Sequence, residues 1–291
     1  MEPGRQQRVR SEGVNRIIAS EDIPVMSADS KIGLVATIDE QGAPHISLLS
    51  SLQPLGPERL TVGQFCEGLS KKHMVQRRKI GFLIFSPSME IWRGRALYEN
   101  SATSGPEYEI YNRKPMFRYN SYFGIGRVHY FKLADISARE KLSKGQIIRG
   151  ALQTRLILPL ASSSQQRVLN ETSRAMFSQI DGLKFIAYLD GEGFPCLVPV
   201  IQASNAGLDR IVFALNPYRE ELLKVPGGKA VALFFVNLLM ESVLVKGVYN
   251  RKKFANLSYG CVDLERVYNS MPPQPRYIYP PLKQHEKVEE F

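Results

Sequence analysis

The sequence predicts a mainly β protein in which two small β-barrels follow one another along the chain, with helices at their periphery. The chain has 291 residues, enough for about two domains, and 44% of them are hydrophobic, enough to give each domain a core. A shift of 151 residues aligns the first half with the second. Each half consists of short apolar segments separated by turn residues, which is typical of a small barrel.

The internal repeat is clearest where residues 32–44 align with residues 183–195. The identical residues in these two segments are Ala36 and Ala187, Asp39 and Asp190, Gly42 and Gly193, and Pro44 and Pro195. The same register then continues without a gap, so that the apolar runs 82–85 and 233–236 coincide. An ungapped match over some fifty residues indicates two copies of one unit.

The first copy begins with an apolar run that ends in an Asp-x-x-Gly-x-Pro turn, which predicts a hairpin at residues 39–44. A helix over about residues 70–78 has Ser70 as its candidate N-cap. The remaining segments of this copy are predicted to be strands, at 45–50, 59–63, 80–85 and 89–97.

An extension separates the two copies. Its sequence predicts a helix over 106–119 that is interrupted at Pro115, a strand over 128–133 and a helix over 138–151. A linker is predicted at 162–166, and it is followed by a helix over 171–179 that leads into the second copy. The expected domains are residues 1–160, residues 161–270 and a proline-rich tail, 271–291, which proline keeps extended or polyproline-like.

The charge and the cysteine content of the chain limit the class of ligand and the cellular compartment that we expect. The composition excludes a disordered or collagen-like chain, and the net charge of +10, of which +7 falls in residues 1–150, favours an anionic ligand in the first half. Cys66, Cys196 and Cys261 are too far apart for a disulfide framework. The N-terminus does not resemble a signal peptide, and the longest apolar run, 230–240, is too short to span a bilayer. We therefore expect a cytoplasmic protein with no membrane partner.

The turn at 39–44, a following strand with small hydroxyls, the segment Ser70-Lys71-Lys72, and a strand with Arg93-Gly94-Arg95 together resemble the FMN-binding split barrels related to pyridoxamine 5′-phosphate oxidase. The resemblance covers residues 30–133 and, more weakly, 183–250. It implies six-stranded antiparallel barrels of Greek-key type, usually paired, with FMN between two barrels. The second barrel would then make this chain a pseudo-dimer of tandem-duplicated units, and a homodimer remains open.

The resemblance also implies a cofactor site. Its candidate FMN-binding residues are Ser47, Val62, Gly63, Ser70, Lys71 and Lys72. A helix N-terminus offers unpaired N–H donors, and the two ammonium groups beside it suit a dianionic phosphate. The catalytic residues are unknown, and the spacing of the four histidines predicts no metal site.

The second copy has Glu221, Leu222 and Leu223 at the positions of this phosphate grip. An acidic residue there opposes phosphate binding, so we expect one flavin site per chain. Lys72, Arg93 and Arg95 are candidates, by position only, for stabilising the charge of reduced flavin.

The predicted function is therefore an FMN-dependent oxidoreductase acting on a small-molecule redox substrate that the sequence does not identify. A first alternative is a sensor or carrier that binds flavin or another anionic cofactor without turnover. A second is a basic nucleic-acid-binding module, suggested by the net charge and by the tyrosines and arginines of residues 108–123. Nucleic-acid binding is the less favoured, because it does not require the Ser-Lys-Lys turn within repeated barrel strands.

Overall fold

A computed structural model describes residues 15–65, 67–114, 124–270 and 276–280. The fold is mainly β, with two curled antiparallel sheets of eight strands each and a few helices. The predicted fold class, mainly β with two barrel-like antiparallel sheets and helices at their periphery, is confirmed.

The first sheet contains six longer strands and two strands of two residues. In chain order they are β1 (Ile32–Ile38), β2 (Pro44–Leu48), β3 (Gln53–Pro54), β4 (Arg59–Gln64), β5 (Lys79–Phe85), β6 (Glu90–Ala102), β7 (Arg127–Ile136) and β8 (Glu140–Lys141). Their order across the sheet is β2-β1-β5-β6-β7-β4-β3, and β8 pairs with β6.

The second sheet repeats this strand order with strand numbers that are eight higher, β10-β9-β13-β14-β15-β12-β11. Its strands are β9 (Leu183–Leu189), β10 (Pro195–Pro199), β11 (Ser204–Asn205), β12 (Arg210–Ala214), β13 (Lys229–Val236), β14 (Ser242–Phe254) and β15 (Leu257–Asn269). The tail adds one strand, β16 (Arg276–Tyr279), which pairs with β15.

The described helices lie outside the sheets. They are α1 (Ile23–Met26), α2 (Leu69–Arg77), α3 (Pro106–Arg113), α4 (Lys144–Ala161), α5 (Glu171–Ser178) and α6 (Arg219–Lys224). Among the described residues, no helix is both long enough and apolar enough to cross a bilayer.

The predicted hairpin turn is present in both barrels. In the first, Asp39 Oδ1 accepts a hydrogen bond from the backbone N–H of Ala43 at 2.8 Å, and Gly42 has a φ of +78°. In the second, Asp190 Oδ1 accepts from the N–H of Phe194 at 2.9 Å, and Gly193 also has a φ of +78°. A short side-chain acceptor and a left-handed glycine close the turn in each case.

Each barrel has its own apolar core, and a third apolar cluster joins the two. The joining cluster takes residues from both sheets, including Leu34, Ile46 and Leu83 from the first, and Phe185 and Phe234 from the second. Since these side chains are buried, the two barrels share a hydrophobic interface.

Gly81 lies where β5 of the first barrel meets β10 of the second. A Cβ at Gly81 would lie 2.1 Å from the carbonyl oxygen of Pro195, closer than van der Waals contact allows. We expect Gly81→Ala to lower the free energy of unfolding by about 1–3 kcal/mol, because backbone on both sides must shift. Urea unfolding measures this.

Gly145→Ala is the matched control for Gly81→Ala, because a Cβ there would have no neighbour within 4 Å. Gly145 lies in the first turn of α4, where alanine is the better helix former and is expected to be neutral or slightly stabilising. Equal effects of the two substitutions would contradict the close packing of β5 against β10.

The structure corrects the helix predicted over 138–151. Residues 140–141 form β8, and α4 begins only after Ser143, whose Oγ accepts from the N–H of Gln146 at 3.4 Å. The helix then runs to Ala161, with Pro159 in its last turns. It packs against the second sheet, although the predicted domain boundary at residue 160 lies almost at its end.

The predicted linker at 162–166 is partly paired with the second barrel, since Ser163 forms a parallel bridge with Gly207. The predicted helix over 106–119 is described only as α3, and residues 115–119 lie outside the described residues. In the tail, β16 is extended as expected, whereas 271–275 and 281–291 are outside the described residues.

Candidate functional site

A cavity of about 260 Å³ lies between the two barrels. The first barrel contributes the end of β2 with the loop that follows it, the end of β4 and the start of α2. The second barrel contributes Met240 and Ser242 near the start of β14, and Tyr268 and Ser270 near the end of β15. The cavity lining is rich in hydroxyls, supplied by Ser47, Ser50, Ser51, Ser70, Ser242 and Ser270.

The start of α2 forms one wall of this cavity. The prediction that Ser70 caps the helix is wrong: α2 begins at Leu69, its N-cap is Gly68 in an extended conformation, and Ser70 is a buried residue of the first turn. Gly68 has no side chain with which to cap the first-turn N–H groups. The wall therefore presents the positive end of the helix dipole.

Lys71 brings a positive charge to the same wall. A Cβ built on Gly68 would lie 3.7 Å from Lys71 Nζ, which places the ammonium group over the start of the helix. Both Gly68 and Lys71 line the cavity. An ammonium group beside first-turn N–H groups is an arrangement that suits an anion.

Four of the six predicted cofactor-binding residues come together at this cavity, namely Ser47, Gly63, Ser70 and Lys71. The other two lie elsewhere. Val62 is fully buried in the core of the first barrel, and Lys72 is an exposed residue outside the cavity lining.

Gly63 is required by protein packing. A Cβ there would lie 2.2 Å from Ile125 Cδ1 and 3.2 Å from Tyr111 Cδ1. Its carbonyl oxygen accepts a hydrogen bond from Ser51 Oγ at 2.7 Å, which fixes the loop after β2 against β4. The space that a side chain at position 63 would need is thus taken by Ile125 and Tyr111.

The equivalent place in the second barrel is filled by an ion-pair network. Arg93 Nη1 donates to Glu221 at 2.7 Å, and Arg93 Nε donates to Glu140 at 3.1 Å. Burial by itself would lower the pKa of Arg93, but these two carboxylates outweigh it and raise the pKa. Leu222, which aligns with Lys71, is fully buried.

Neither arginine proposed for reduced flavin is at the cavity. Arg93 is held in the network just described, and Arg95 forms ion pairs with Asp135, Asp190 and Glu192. Arg95 instead lines a separate, open depression of about 580 Å³. Both were candidates by sequence position alone. In the structure, Arg93 and Arg95 instead form ion pairs that link the first barrel to the second.

A buried polar cluster lies behind the cavity, on the shared interface. Lys246 Nζ of the second barrel donates to Asp39 Oδ2 of the first at 2.7 Å, and each side chain is 3% exposed. The ring of His45 lies edge-to-face with the rings of His73 and Tyr268, at distances between ring centroids of 5.2 Å and 5.0 Å. Because Tyr268 lines the cavity, the cluster supports one of its walls.

The sequence did not point to this cluster. Lys246 is a single charge in an apolar strand segment, Val243-Leu244-Val245-Lys246, and its position in an otherwise buried strand is the signal that was available. A buried charge needs a partner, but the sequence does not show that the partner is in the other barrel.

The buried histidines are neutral in the folded protein near neutral pH. Burial, followed by the nearby charge of Lys246, lowers the pKa of His45 well below its ordinary value of 6.5. Burial, with Lys71 and Arg127 nearby, lowers the pKa of His129 to about 4. Unfolding restores the ordinary pKa, so the unfolded chain binds more protons than the folded chain below about pH 6.5.

We therefore expect stability to be greatest above about pH 6.5 and to fall as the pH is lowered from there towards 4. Urea unfolding midpoints across this range measure the effect. In His129→Asn the midpoint is expected to fall less steeply, whatever its absolute value. A stability that rises on acidification through this range, or an unchanged slope in the variant, would contradict the assignment.

No group of three or more His, Cys, Asp or Glu side chains placed to hold a metal ion occurs in the described ranges. Cys196 and Cys261 are both free thiols, and Cys66 lies outside the described residues. The cavity therefore offers hydroxyls, one ammonium group and a helix N-terminus, which are groups for binding an anion. Its lining also includes one carboxylate, that of Glu67, whose Oε1 accepts a hydrogen bond from Gln64 Nε2 at 2.8 Å.

No family model matches the chain, and none of the curated proteins matches it. Among solved structures, the chain is similar to an FMN-binding protein from Syntrophomonas wolfei, at 15% identity, with 42% of this chain and 84% of that chain covered and a TM-score of 0.33. It is also similar to a candidate pyridoxamine 5′-phosphate oxidase from Lactobacillus delbrueckii, at 17% identity, with 43% and 96% covered and a TM-score of 0.34. A heme-binding protein from Mycobacterium smegmatis is similar over 84% of this chain and 87% of its own, at 12% identity and a TM-score of 0.29.

Proposed function

We propose that the chain binds flavin mononucleotide (FMN) in the cavity between its barrels and acts as an FMN-dependent oxidoreductase. The observation that carries this proposal is the start of α2. There, a glycine N-cap, a buried Ser70 and the Lys71 ammonium group line one wall of a cavity. A terminal phosphate suits these groups, because first-turn N–H donors and an ammonium group both favour a dianion.

The rest of the cavity fits the remainder of such a cofactor. Leu48, Leu49, Phe65, Met240 and Tyr268 supply apolar or aromatic surface. The volume of about 260 Å³ is slightly below the usual range for small-molecule sites, so part of the cofactor would stay at the open mouth. An exposed edge leaves room for a redox substrate to approach.

Bound flavin mononucleotide supplies hydride or electron transfer, so no side chain of the chain has to act as a nucleophile. The protein contributes binding and orientation. Lys71 neutralises phosphate charge, Ser47 and Ser70 offer hydroxyls, and Tyr268, held by His45 and by Tyr277 of β16 at 5.2 Å, forms a wall of fixed position.

One site per chain follows from the second barrel. Arg93 already neutralises Glu221 at the equivalent place, and buried Leu222 replaces Lys71. The second barrel thus contributes a wall to the first site. Its own equivalent place is occupied by side chains of the chain.

An absorption spectrum tests the proposal. The protein is incubated with flavin mononucleotide, passed through gel filtration and scanned; flavin bands that travel with the protein are expected. Reduction of these bands by a pyridine nucleotide, followed by reoxidation with an added electron acceptor, supports an oxidoreductase. Retained flavin that no donor reduces and no acceptor reoxidises would favour the carrier alternative, and loss of all flavin on the column would contradict the proposal.

A further inference from the structure

Helix α4 has one face that is fixed to the protein and an opposite face that is not. Its buried residues are Gly150, Thr154, Ile157 and Ala161. Thr154 Oγ1 accepts a hydrogen bond from the N–H of Ala214 at 2.9 Å, and Ile157 packs in a cluster with residues of β12 and β15. The helix is thus docked on the second barrel from Gly150 to Ala161.

The outer face of α4 is apolar. It carries four large side chains spaced four residues apart, Ile148, Leu152, Leu156 and Leu160, which we call the exposed stripe. They are between 57% and 71% exposed. Residues four apart on a helix are neighbours, so the exposed stripe is continuous over three turns.

The charged residues of α4 itself are all positive. At 100° per residue, Arg155 lies at one edge of the stripe, and Arg149 lies on the same face within the turn that joins Ile148 to Leu152. Both arginines are exposed, and neither forms an ion pair within the part of the chain that the structure describes. The sequence has no acidic residue from position 141 to position 170, a segment that contains five Lys and Arg.

We propose that this face of α4 binds the surface of an anionic lipid membrane. A helix that lies in the plane of the interface needs an apolar face that enters the acyl boundary and cations that reach the headgroups. The exposed stripe supplies the first, and Arg149 and Arg155 supply the second, because long arginine side chains reach the headgroups from beside an apolar face.

This proposal differs from the sequence expectation of no membrane partner for a physical reason. That expectation rested on apolar runs too short to span a bilayer, whereas an interfacial helix does not need such a run. The outer face becomes recognisable only when the structure shows that Gly150 and Thr154 are on the buried side.

An anionic occupant is favoured over a second copy of the chain. A two-fold pair of α4 helices would bring together two helices whose charged residues are all positive, on chains that each carry +10. An anionic bilayer reverses the sign of that interaction, at about 1 kcal/mol per basic residue near the surface.

Vesicle co-sedimentation tests the proposal with the full chain. The probes are vesicles of phosphatidylcholine alone and of phosphatidylcholine mixed with phosphatidylserine. We expect binding to the mixed vesicles that weakens at high salt, and little binding to phosphatidylcholine alone. Arg149→Gln/Arg155→Gln should weaken binding by roughly thirtyfold. Leu152→Gln/Leu156→Gln should weaken it by at least about tenfold, since the apolar contribution is lost.

Two controls make the test specific. Lys229→Gln/Lys253→Gln removes two exposed charges from β13 and β14 and controls for non-specific adsorption, so it should bind as the unmodified chain does. Ile180→Gln removes an exposed apolar side chain outside α4 and should also leave binding unchanged.

Three outcomes would overturn the proposal. The first is no sedimentation with either vesicle, and the second is equal loss of binding in the control variants. The third is a dimer, detected by light scattering, that Leu152→Gln/Leu156→Gln converts to a monomer while vesicle binding is absent. That third result would assign the face to a second copy.

Discussion

Replacing Lys246 by methionine is expected to lower the free energy of unfolding by about 3–5 kcal/mol. The variant leaves the buried carboxylate of Asp39 without its ammonium partner in the interface between the barrels. Of its hydrogen bonds to described residues, the Asp39 carboxylate would keep the one from the N–H of Ala43. Urea unfolding measures the loss, and the exposed Lys253→Met on the same strand is the matched control, expected to stay within about 0.5 kcal/mol.

A double-mutant cycle separates the pair from the general effect of substitution. Asp39→Asn/Lys246→Met removes both charges, so we expect it to be more stable than Lys246→Met alone. If the loss of unfolding free energy in the double variant equals the sum of the losses in the two single variants, the two side chains do not interact in solution. That result would contradict the buried Asp39–Lys246 ion pair.

Lys71→Ala is expected to weaken the binding of flavin mononucleotide by at least about tenfold. Its ammonium group lies over the start of α2 at the cavity, and a charge-assisted hydrogen bond to phosphate contributes about 1.5–3 kcal/mol. Quenching of flavin fluorescence measures the dissociation constant.

Lys72→Ala is the control for Lys71→Ala, since it removes the same charge one residue later, from an exposed position outside the cavity lining. We expect its affinity to change by less than about threefold, from long-range charge alone. Equal weakening by the two substitutions would contradict the assignment of the phosphate wall to Lys71 alone.

The sequence predicted the features that depend on local chemistry. The turn at Asp39 and Gly42 needs a side-chain acceptor and a left-handed glycine within four residues, and both are visible in the sequence. The apolar runs of β1 and β5 likewise show their burial directly.

Features set by tertiary packing could not be predicted in the same way. Asp39 and Lys246 are 207 positions apart, and no local pattern links them. Ser70 has the chemistry of an N-cap, but the N-cap of α2 is Gly68, two residues earlier, whose backbone is extended. Helix α4 continues past Pro159 to Ala161, although a proline in a sequence usually indicates that a helix ends or kinks.

The candidate site shows the same division. The resemblance to FMN-binding split barrels pointed to Ser70, Lys71 and Lys72, and the chemistry of a helix start with cations supported that prediction. Tyr268 and Ser242 reach the cavity only through the docking of the second barrel, so their part in its wall depends on the interface of apolar side chains and on the Asp39–Lys246 pair.

The most direct test of the central claim is a calorimetric titration of the purified chain with flavin mononucleotide and, in parallel, with riboflavin. The cavity at α2 predicts one flavin mononucleotide bound per chain and at least about tenfold weaker binding of riboflavin, which lacks the phosphate. Equal affinity for the two ligands, or no heat of binding with either, would contradict the claim that the start of α2 holds a flavin phosphate.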